Sequence, residues 1–418
     1  MLLGVIADDF TGATDIAGFL VENGMSTIQL NGIPTGDIDA TADAVVISLK
    51  SRSCPVDLAI SESVSALKWL QSQGCQQFYF KYCSTFDSTN KGNIGPVTDA
   101  LLAELGDDFT LVCPALPVNG RTVYNGHLFV FGELLSASGM RNHPVTPMTD
   151  SNIIRLMDGQ SKGTSGLVNF QTIEQGVDVT IARFDELKTQ GHTYAVVDAF
   201  TTEHLVTLGQ AAKSFKLITG GSGLAAGIAK NWVENLTDQS DAKQKGYPVK
   251  APTVVFSGSC SVMTNQQVNF YKEKASHLSI DVKACLTNKQ YVNDVFDWVM
   301  TNNHAELAPL VYATADTATL KAIQEEFGAH DSSHAVEQFF SELAIQLQSN
   351  GVKNFIVAGG ETSGVVTQSL AVKGFHIGPQ IAPGVPWVKS LDGTLSLALK
   401  SGNFGDENFF AKAQGFFL

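Results

Sequence analysis

The feature that most constrains the fold of this chain is a repeated pattern, in which a short apolar run leads into small or polar residues and then into a helical stretch. The first instance opens the chain: residues 2–7 are apolar and of strand length, Asp8 and Asp9 follow directly, and residues 15–21 are typical of a helix. Strands that alternate with helices of about ten or more residues imply parallel βαβ units. We therefore predict an α/β fold in which mostly parallel sheets carry flanking helices.

Apolar runs of strand length recur along the whole chain. They lie at residues 44–49, 77–82, 109–113, 164–170, 194–198, 216–219, 253–256, 310–313, 355–358 and 395–400. The stretch 234–250 interrupts the pattern, because it is polar, charged and without apolar periodicity. A chain of 418 residues is long enough for two or three domains at roughly 150 residues each. We therefore predict a linker in this stretch, with one domain over residues 1–240 and a second over residues 250–418.

The charge of the chain argues against nucleic acid as a general partner. Lys and Arg number 27 against 41 Asp and Glu, a formal net charge of −14, whereas binding to a phosphate backbone needs a basic surface. No basic run suggests a membrane-surface patch, and no apolar stretch approaches the roughly 20 residues of a spanning helix. The first residues lack the basic segment of a signal peptide. We expect a cytoplasmic protein.

The cysteines and histidines predict neither a disulfide framework nor a metal site. Six cysteines are scattered without a CxxC pair, as expected for reduced and mostly buried thiols. His330 and His334 have the i, i+4 spacing of a helical metal site, but the residues between them are polar and contain no Glu. A solvated helix start is the favoured interpretation, and the ligands of any metal ion stay undetermined.

Charged and hydroxyl side chains follow the predicted strands of the first domain. Asp8 and Asp9 follow the first strand, at the sheet edge where α/β proteins bind ligands. The alternative is that Asp8 caps the helix and Asp9 is solvated. The other strand-end groups are Arg52, Ser53, Lys81, Asp87, Ser88, Thr89, Asn119, Arg121 and Asp198. Arg presents a fork to a carboxylate, and Asp accepts from hydroxyls or takes a proton, so the set suits a small polyhydroxy acid.

Three strands of the second domain lead into loops of Gly, Ser and Thr and then into helices. These loops are FSGSCS, AGGETSG and KSGNFG, at residues 256–261, 358–364 and 400–405. Glycine lets the backbone approach a ligand, and a helix N-terminus presents free N–H groups to an anion. The three loops on one sheet edge would cradle a nucleotide. The nucleotide site would be of a less common kind. The chain contains neither the P-loop motif GxxxxGK[ST] nor the glycine-rich loop, VAIK and HRD motifs of protein kinases.

The segment LITGGSGLAAG suggests a different class of function. Gly221, Gly223 and Ala226 match a dinucleotide-binding fingerprint, which would indicate an NAD-dependent hydroxy-acid oxidoreductase. The position does not fit, because that fingerprint belongs on the first strand of its domain. Close packing of a helix on a strand is the favoured interpretation. A sugar-acid sensor without catalysis is a third alternative.

Together the two halves suggest phosphoryl transfer, with a polyhydroxy acid bound by the first domain and a nucleotide by the second. Such a reaction needs two aligned substrates and little covalent chemistry from the protein. We expect the active site in the cleft between the two domains. We expect the partners to be small molecules, not nucleic acid or a membrane. The sequence does not determine the oligomeric state, and a homodimer is the assembly we consider.

Nine segments resemble the four-carbon acid sugar kinases and occur in the order of that family. They are IADDFTGATDIA, KSRSCP, FDSTNKGNIG, PVNGRTVYNGHLFV, MRNHPVTPMTDSN, ITGGSGLA, FSGSCS, GGETSG and KSGNFG. The resemblance implies an N-terminal substrate domain and a C-terminal nucleotide domain. It also implies ATP-dependent phosphorylation, with Mg²⁺, of the terminal C4 hydroxyl of a four-carbon acid. The expected acceptor is 3-oxo-tetronate, with D-threonate or erythronate as alternatives.

The resemblance also implies the nucleotide contacts, and the strand-end groups supply the expected substrate contacts and proton acceptor. Nucleotide contacts of the family fall on Ser257, Gly360, Glu361, Thr362, Ser363 and Gly405, to which the loop pattern adds Gly258, Ser259, Gly359 and Gly402. Arg52, Lys81 and Lys91 are expected to hold the substrate carboxylate and offset phosphate charge, with Ser88, Thr89 and Arg121 as further substrate contacts. Asp8, Asp9 or Asp87 would accept the C4 proton, and the choice among them stays open.

One segment departs from the family pattern. Where relatives often have KIDSTLRGNIG, this chain has FDSTNKGNIG, so that Lys91 stands in place of Arg and residues 82–85 differ upstream. A Lys keeps the positive charge but loses the planar fork of Arg.

Overall fold

The structure, a computed structural model, describes residues 1–36, 38, 42–86, 89–142, 146–232, 242–303 and 306–417. It divides into two compact units, Met1–Ala242 and Lys243–Leu418. The predicted linker at 234–250 lies outside the described residues up to 241, and its remainder contains a short 3-10 turn at Gln244–Gly246. None of the helices in these ranges is both long enough and apolar enough to cross a membrane.

The first unit contains a parallel sheet and a small antiparallel sheet. Its strands are β1 (Leu3–Ala7), β2 (Thr27–Asn31), β3 (Ala44–Ser48), β4 (Gln77–Lys81), β5 (Thr110–Cys113), β6 (Arg121–Tyr124), β7 (His127–Val130), β8 (Glu133–Leu134), β9 (Ser165–Val168), β10 (Tyr194–Val197) and β11 (Leu217–Gly220). Its helices are α1 (Phe10–Glu22), α2 (Val56–Ser72), α3 (Ile94–Leu105), α4 (Ile153–Gln160), α5 (Phe170–Ile173), α6 (Val177–Thr189), α7 (Thr202–Ala211) and α8 (Ala225–Lys230).

The parallel sheet of the first unit has the strand order β2-β3-β1-β4-β11-β5-β10-β9. All five residues of β1 are buried, as expected for a strand inside a parallel sheet whose faces are covered by helices. β6, β7 and β8 form the separate antiparallel sheet. The interior position of β1 places the end of the first strand between two neighbouring strand ends.

The second unit is also built on a largely parallel sheet. Its strands are β12 (Thr253–Ser257), β13 (His277–Ser279), β14 (Leu310–Tyr312), β15 (Asn354–Ala358), β16 (Gly374–Ala382), β17 (Val385–Ser390) and β18 (Ser396–Lys400). Its helices are α9 (Val262–Lys272), α10 (Val282–Thr287), α11 (Tyr291–Asn302), α12 (Thr317–Phe327), α13 (Ala329–Ser349), α14 (Gly360–Ser369) and α15 (Phe409–Gln414). The order is β13-β14-β12-β15-β18-β17-β16, parallel as far as β18 and antiparallel beyond it.

A buried aromatic cluster anchors the last helix of the second unit. Trp387 of β17, Phe409 and Phe410 of α15 and Tyr271 of α9 belong to one core. The indole N–H of Trp387 donates to the carbonyl of Ala413 at 2.9 Å, which satisfies its polar atom inside the core. This packing fixes α15 on the sheet, and with it the loop that connects β18 to α15.

The predicted α/β fold class is confirmed, while several local expectations differ. α1 begins at Phe10 rather than near residue 15, because Asp9 is its N-cap. β2 was not expected, since Gln29 makes its sequence partly polar; Gln29 is buried and accepts a hydrogen bond from Thr14 of α1 at 2.8 Å. The hairpin of β16 and β17 was also not expected, because Gly and Pro within β16 are unusual in strands.

Candidate active site

In the first unit, three strand ends meet at the carboxyl edge of the parallel sheet. Ala7 of β1 pairs with Ser48 of β3 and with Lys81 of β4. The backbone of Asp8 links the segments after these strands: its N–H donates to the carbonyl of Lys81 and its carbonyl accepts from the N–H of Ser51, both at 3.0 Å. The candidate residues brought together at this edge are Asp8, Asp9, Arg52 and Lys81.

Asp8 and Arg52 form a bidentate ion pair. Arg52 Nε donates to Asp8 Oδ2 at 2.9 Å, and Arg52 Nη2 donates to Asp8 Oδ1 at 2.8 Å. Burial raises the pKa of Asp8, whose side chain is 6% exposed, and the Arg52 charge opposes part of that rise. Burial also lowers the pKa of Arg52, but the charges of Asp8 and Asp9 outweigh it and raise that pKa well above its usual value. Two guanidinium nitrogens of Arg52 are therefore committed to the aspartates.

Asp9 is the N-cap of α1. Its Oδ1 accepts from the Gly12 N–H and its Oδ2 from the Thr11 hydroxyl, both at 2.9 Å, and Arg52 Nη2 lies 2.8 Å from Oδ1. Burial raises its pKa, but the charges of Arg52 and Lys81 and the two hydrogen bonds outweigh burial, so the pKa is lowered. With 26% of its side chain exposed, Asp9 is an ionised carboxylate that a ligand can reach. The alternative in which Asp8 caps the helix is wrong.

Lys81 is the second cation of this region. It is 3% exposed, and its Nζ donates to the carbonyl of Tyr82 at 2.9 Å. A Cβ on Gly12 would lie 2.8 Å from Lys81 Nζ and 2.3 Å from Asp9 Oδ1. Only glycine at this position therefore allows the ammonium and the carboxylate to approach the first turn of α1.

Asp15 belongs to the same charged region, although sequence reasoning did not select it. Its Oδ2 accepts from the Ser222 hydroxyl, while its Oδ1 is buried with no hydrogen-bond partner among the described residues. Burial raises the pKa of Asp15, and the Lys81 charge is the largest opposing effect. An acid in the middle of a mostly apolar helix was the sequence signal that could have identified it.

The segment GGSGLA packs between strands at this edge. The Tyr79 hydroxyl of β4 donates to the carbonyl of Gly221, whose N–H donates to the carbonyl of Cys113 at the end of β5. Ser222 binds Asp15. These contacts support close packing as the reason for the small residues in this segment.

Arg121 lies at the start of β6. Its Nη1 donates to the carbonyl of Asn119, and its guanidinium carbon is 5.1 Å from the centre of the Phe131 ring. Its Nε is buried and has no hydrogen-bond partner in the described part of the chain. Burial lowers the pKa of Arg121, and the Asp15 charge opposes this. Arg121 therefore has an N–H group available to a ligand, whereas Nε and Nη2 of Arg52 already bind the aspartates.

The described candidates in the segment after β4 have no hydrogen bond or ion pair with Asp8 or Arg52 among those the structure shows. Gln160 Nε2 donates to the carbonyl of Thr89 at 2.7 Å, and the Lys91 N–H donates to Thr89 Oγ1 at 3.3 Å. Lys91 is exposed. Asp87 and Ser88 lie outside the described residues.

Two polar side chains support the surrounding loops. Asn93, which sequence reasoning missed, donates through Nδ2 to the carbonyls of Ser51 and Cys54 at 2.8 and 3.0 Å and so fixes the loop that carries Arg52. Asp198 accepts from the backbone N–H of Gly126 at 2.9 Å and of Phe170 at 3.0 Å. These bonds give Asp198 a structural role.

In the second unit, three glycine-containing loops meet at the carboxyl edge of the sheet. Ser257 of β12 pairs with Ala358 of β15, which pairs with Lys400 of β18. The Gly258 N–H donates to the carbonyl of Ala358, and the Gly359 N–H donates to the carbonyl of Lys400, both at 2.9 Å. The structure thus places residues 257–261, 359–363 and 400–405 side by side.

The first of these loops is in close contact with the other two. A Cβ on Gly258 would lie 2.2 Å from Thr362 Oγ1 in the second loop. A Cβ on Gly402 in the third loop would lie 2.7 Å from Ser259 Oγ. Hydrogen at both positions allows the three backbones to form one continuous surface.

The loops present backbone N–H groups and hydroxyls rather than paired charges. Ser363 Oγ is buried without a hydrogen-bond partner among the described residues, and Thr362 is 6% exposed. Ser257 Oγ is engaged with Thr314 Oγ1 at 2.6 Å. The exposed carboxylate of Glu361 lies in the first turn of α14, and Gly405 turns the chain before α15 with a φ of 78°.

Lys400 is a buried cation beneath the third loop, and sequence reasoning missed it. Its Nζ donates to Thr264 Oγ1 at 3.0 Å and to the carbonyls of Ser401 and Gly402 at 3.1 and 2.9 Å. Burial lowers the pKa of Lys400 to about 7. Its place directly before the glycines of KSGNFG, at a strand end like Lys81, was the available signal.

Two family models match the chain. Residues 3–228 match a sugar-binding N-terminal domain, and residues 254–410 match a nucleotide-binding C-terminal domain. Curated relatives from Brucella melitensis, Pectobacterium atrosepticum and Haemophilus influenzae, each named 3-oxo-tetronate kinase, are 59%, 58% and 57% identical to it. The alignments cover 99%, 99% and 100% of this chain and 95%, 98% and 100% of the relatives.

Solved structures give the same result. A Haemophilus influenzae protein superposes with a TM-score of 0.87 at 56% identity, over 99% of this chain and all of the other. A Salmonella typhimurium protein described as a tRNA synthase superposes with a TM-score of 0.94 at 56% identity, over 100% of this chain and 99% of the other. The chain therefore belongs to the four-carbon acid sugar kinase family.

Proposed function

We propose that this protein is an ATP-dependent kinase that converts 3-oxo-tetronate to 3-oxo-tetronate 4-phosphate. The observation that carries the proposal is its 57–59% identity, over 99–100% of its length, to curated 3-oxo-tetronate kinases. The two loop clusters support it, because one carries the acids and bases of an acceptor site and the other the N–H groups and hydroxyls that suit phosphates.

Asp9 is our proposed proton acceptor. Its carboxylate is ionised and 26% exposed, whereas Asp8 is 6% exposed and both its oxygens accept from Arg52. Asp8 and Arg52 would then position Asp9, and the substrate carboxylate would be bound by Arg121 and Lys91 instead of Arg52. Lys81 would offset negative charge during transfer.

The transfer itself is a direct displacement. The C4 hydroxyl oxygen bonds to the γ-phosphorus of ATP while the bond to the β–γ bridging oxygen breaks, ADP leaves, and the hydroxyl proton passes to Asp9. The three glycine loops of the second unit would hold the phosphates through backbone N–H groups, with the hydroxyls of Ser259 and Ser363 as further donors. The protein's contribution is alignment and charge stabilisation.

The donor set of the second unit fits Mg²⁺ that arrives with the nucleotide. Mg²⁺ in kinases is usually bound by one or two carboxylates together with phosphate oxygens, not by a cage of protein ligands. Glu361, exposed in the first turn of α14, is the carboxylate that lies within the second glycine loop. Glu361 would be the protein ligand, and the ion would neutralise charge on the phosphates.

A coupled ADP-release assay over four-carbon sugar acids tests the reaction. We expect the highest kcat/KM with 3-oxo-tetronate, and a higher value for D-threonate or erythronate would reassign the acceptor. ADP release with no change in NAD(P)H absorbance would exclude the oxidoreductase alternative. The Salmonella structure is described as a tRNA synthase. The net charge of −14 of the present chain does not favour tRNA as a substrate, because binding to a phosphate backbone needs a basic surface.

Single Asp→Asn substitutions test the base. Asp9→Asn keeps a good helix N-cap but removes the proton acceptor, so we expect kcat to fall about 10²- to 10⁴-fold with little loss of stability. Asp57→Asn, at an exposed position in the first turn of α2, is the matched control. Near-normal turnover of Asp9→Asn would transfer the role to Asp8 or Asp87, which the same substitution tests.

A further inference from the structure

A cavity of about 550 Å³ lies within the second unit, apart from the three glycine loops. Its walls come from α9, from the segment between β13 and α10, from the segment after β14, and from α12. None of the residues assigned to the nucleotide from the sequence lines it. Its size is that of a site for a small organic molecule, which typically measures about 300–1,000 Å³.

The cavity wall is joined to the first glycine loop by hydrogen bonds. Thr314 lines the cavity, and its Oγ1 is 2.6 Å from Ser257 Oγ. Asn265 also lines it and donates through Nδ2 to the carbonyls of Cys260 and Ser261 at 3.2 and 3.1 Å. A nucleotide whose phosphates contact this loop therefore has the cavity directly beside it.

The lining chemistry suits a flat heterocycle better than phosphate. Val268 and Ile280 are buried apolar residues, and Ile323 and Phe327 add apolar surface from α12. The charged lining residues are Lys272, Lys283, Asp281, Asp316 and Glu326, so the carboxylates outnumber the lysines. The lining is about equally polar and apolar, so a purine can pack on the apolar side chains and form hydrogen bonds to the polar ones at its edges. A polyphosphate would instead meet more carboxylates than ammonium groups.

We propose that this cavity is the subsite for the purine nucleoside of ATP, occupied when the phosphates lie on the three glycine loops. The proposal rests on the proposed function, since it takes ATP as the phosphoryl donor. It assigns nucleotide specificity to α9, α12 and the two strand-to-helix segments, not to the glycine loops themselves. Asn269, exposed on α9, supplies an amide for the base edge.

Photoaffinity labelling of the wild-type protein tests the location. Irradiation with 8-azido-ATP, followed by peptide mapping, should place the label within residues 265–283 or 312–327, and excess ATP should suppress it. A label confined to other peptides would overturn the proposal.

A filled cavity tests the energetics. Thr319 lines the cavity and is exposed on α12, so Thr319→Trp should occupy the space and weaken ADP binding by at least about tenfold, equivalent to about 1.4 kcal/mol. Thr301→Trp, at an exposed position of α11 away from the cavity, is the control. Asn269→Trp repeats the test from the opposite wall if Thr319→Trp lowers the melting temperature. Unchanged ADP affinity in the filled variants overturns the proposal.

Calorimetry with ADP and with ATP, each without the sugar acid, separates the two proposals. If the wild-type protein binds neither ADP nor ATP, the kinase proposal fails and the subsite fails with it. If the wild-type protein and both filled variants bind ADP equally, the kinase proposal stands and only the subsite is overturned.

Discussion

The two loop clusters occupy the same place in their sheets, at the carboxyl ends of parallel strands, but they treat charge differently. In the first unit, Asp8 and Asp9 are both ion-paired with Arg52. In the second unit, Lys400 is buried with a hydroxyl and two backbone carbonyls around its ammonium. In the first cluster the charges are paired within the protein before a ligand binds. In the second cluster the hydrogen-bond partners of the buried cation are all neutral.

This difference follows from the chemistry proposed for each cluster. A proton acceptor must stay ionised near neutral pH, and the pKa of Asp9 is lowered because the charges of Arg52 and Lys81, together with the hydrogen bonds that its carboxylate accepts, outweigh the effect of burial. A phosphate site can leave a cation without a counterion, because the ligand supplies the negative charge. Burial then lowers the pKa of Lys400 to about 7, so an approaching phosphate would favour its protonated form.

Removal of the shared cation should have the largest effect on the first cluster. Arg52→Met leaves Asp8 buried without its counterion, and we expect a loss of about 3–5 kcal/mol in the free energy of unfolding together with turnover below detection. Lys68→Met is the control, because the 3.4 Å ion pair of Lys68 with Glu104 is exposed and worth at most about 1 kcal/mol. For both variants, denaturant unfolding measures the loss of stability and a kcat/KM assay measures the loss of activity. Equal losses in the two variants would contradict the pairing of charges in the first cluster.

Lys400 should make the stability of the second unit depend on pH. The unfolded chain holds the Lys proton up to about pH 10.4, whereas the folded protein releases it at about pH 7. Between these values the unfolded state binds more protons, so the free energy of unfolding rises with pH. Lys400→Met should remove this rise, which amounts to the order of a few kcal/mol between pH 7 and 10.

The measurement is the difference in unfolding free energy between the wild-type protein and Lys400→Met across that range. Lys412→Met, at a position whose side chain is 46% exposed, should keep the slope of the wild-type protein. If the unfolding free energies of the wild-type protein and Lys400→Met changed with pH in parallel, Lys400 would keep its charge over the whole pH range, and the prediction would be wrong.

Close packing of the glycine loops predicts a smaller effect. Gly258→Ala would place a methyl group 2.2 Å from Thr362 Oγ1, so we expect a loss of about 1–3 kcal/mol and weaker ADP binding. Gly364 of α14 has open space around a Cβ, and Gly364→Ala should stabilise the helix by about 0.5–1 kcal/mol. Calorimetry and thermal unfolding distinguish them. Full ADP affinity in Gly258→Ala would show that the contact between loops is dispensable.

Much of the fold could be predicted because strand and helix periodicity is local. The strands that begin at Leu3, Ala44 and Gln77 could be identified within one residue of their observed starts, since each contains an apolar run that ends at a polar residue. The prediction missed β2 because Gln29 interrupts its apolar pattern, and the amide oxygen of the buried Gln29 accepts a hydrogen bond from Thr14. Such a partner is a tertiary contact that periodicity does not contain.

The candidate site was harder to predict, because the partners of its charges are distant in sequence. Sequence reasoning gave Arg52 to the substrate carboxylate, whereas the structure pairs it with Asp8, 44 residues away. Asp15 was missed because its partner, Ser222, lies 207 residues further along the chain. Motifs identify which strand ends carry polar groups, but the side-chain pairs formed there depend on the strand order.

The smallest effect is expected at Lys91, where the chain departs from the family pattern. Lys91 is exposed, so a contact with the substrate carboxylate should contribute less than about 1 kcal/mol, and Lys91→Met should raise the acceptor KM no more than about fivefold at unchanged kcat. Arg121→Met should raise it further, because the Arg121 Nε is buried without a partner among the described residues and a substrate oxygen would satisfy it. A larger rise in Lys91→Met than in Arg121→Met would instead place the carboxylate at the exposed turn, away from the paired charges of the first cluster.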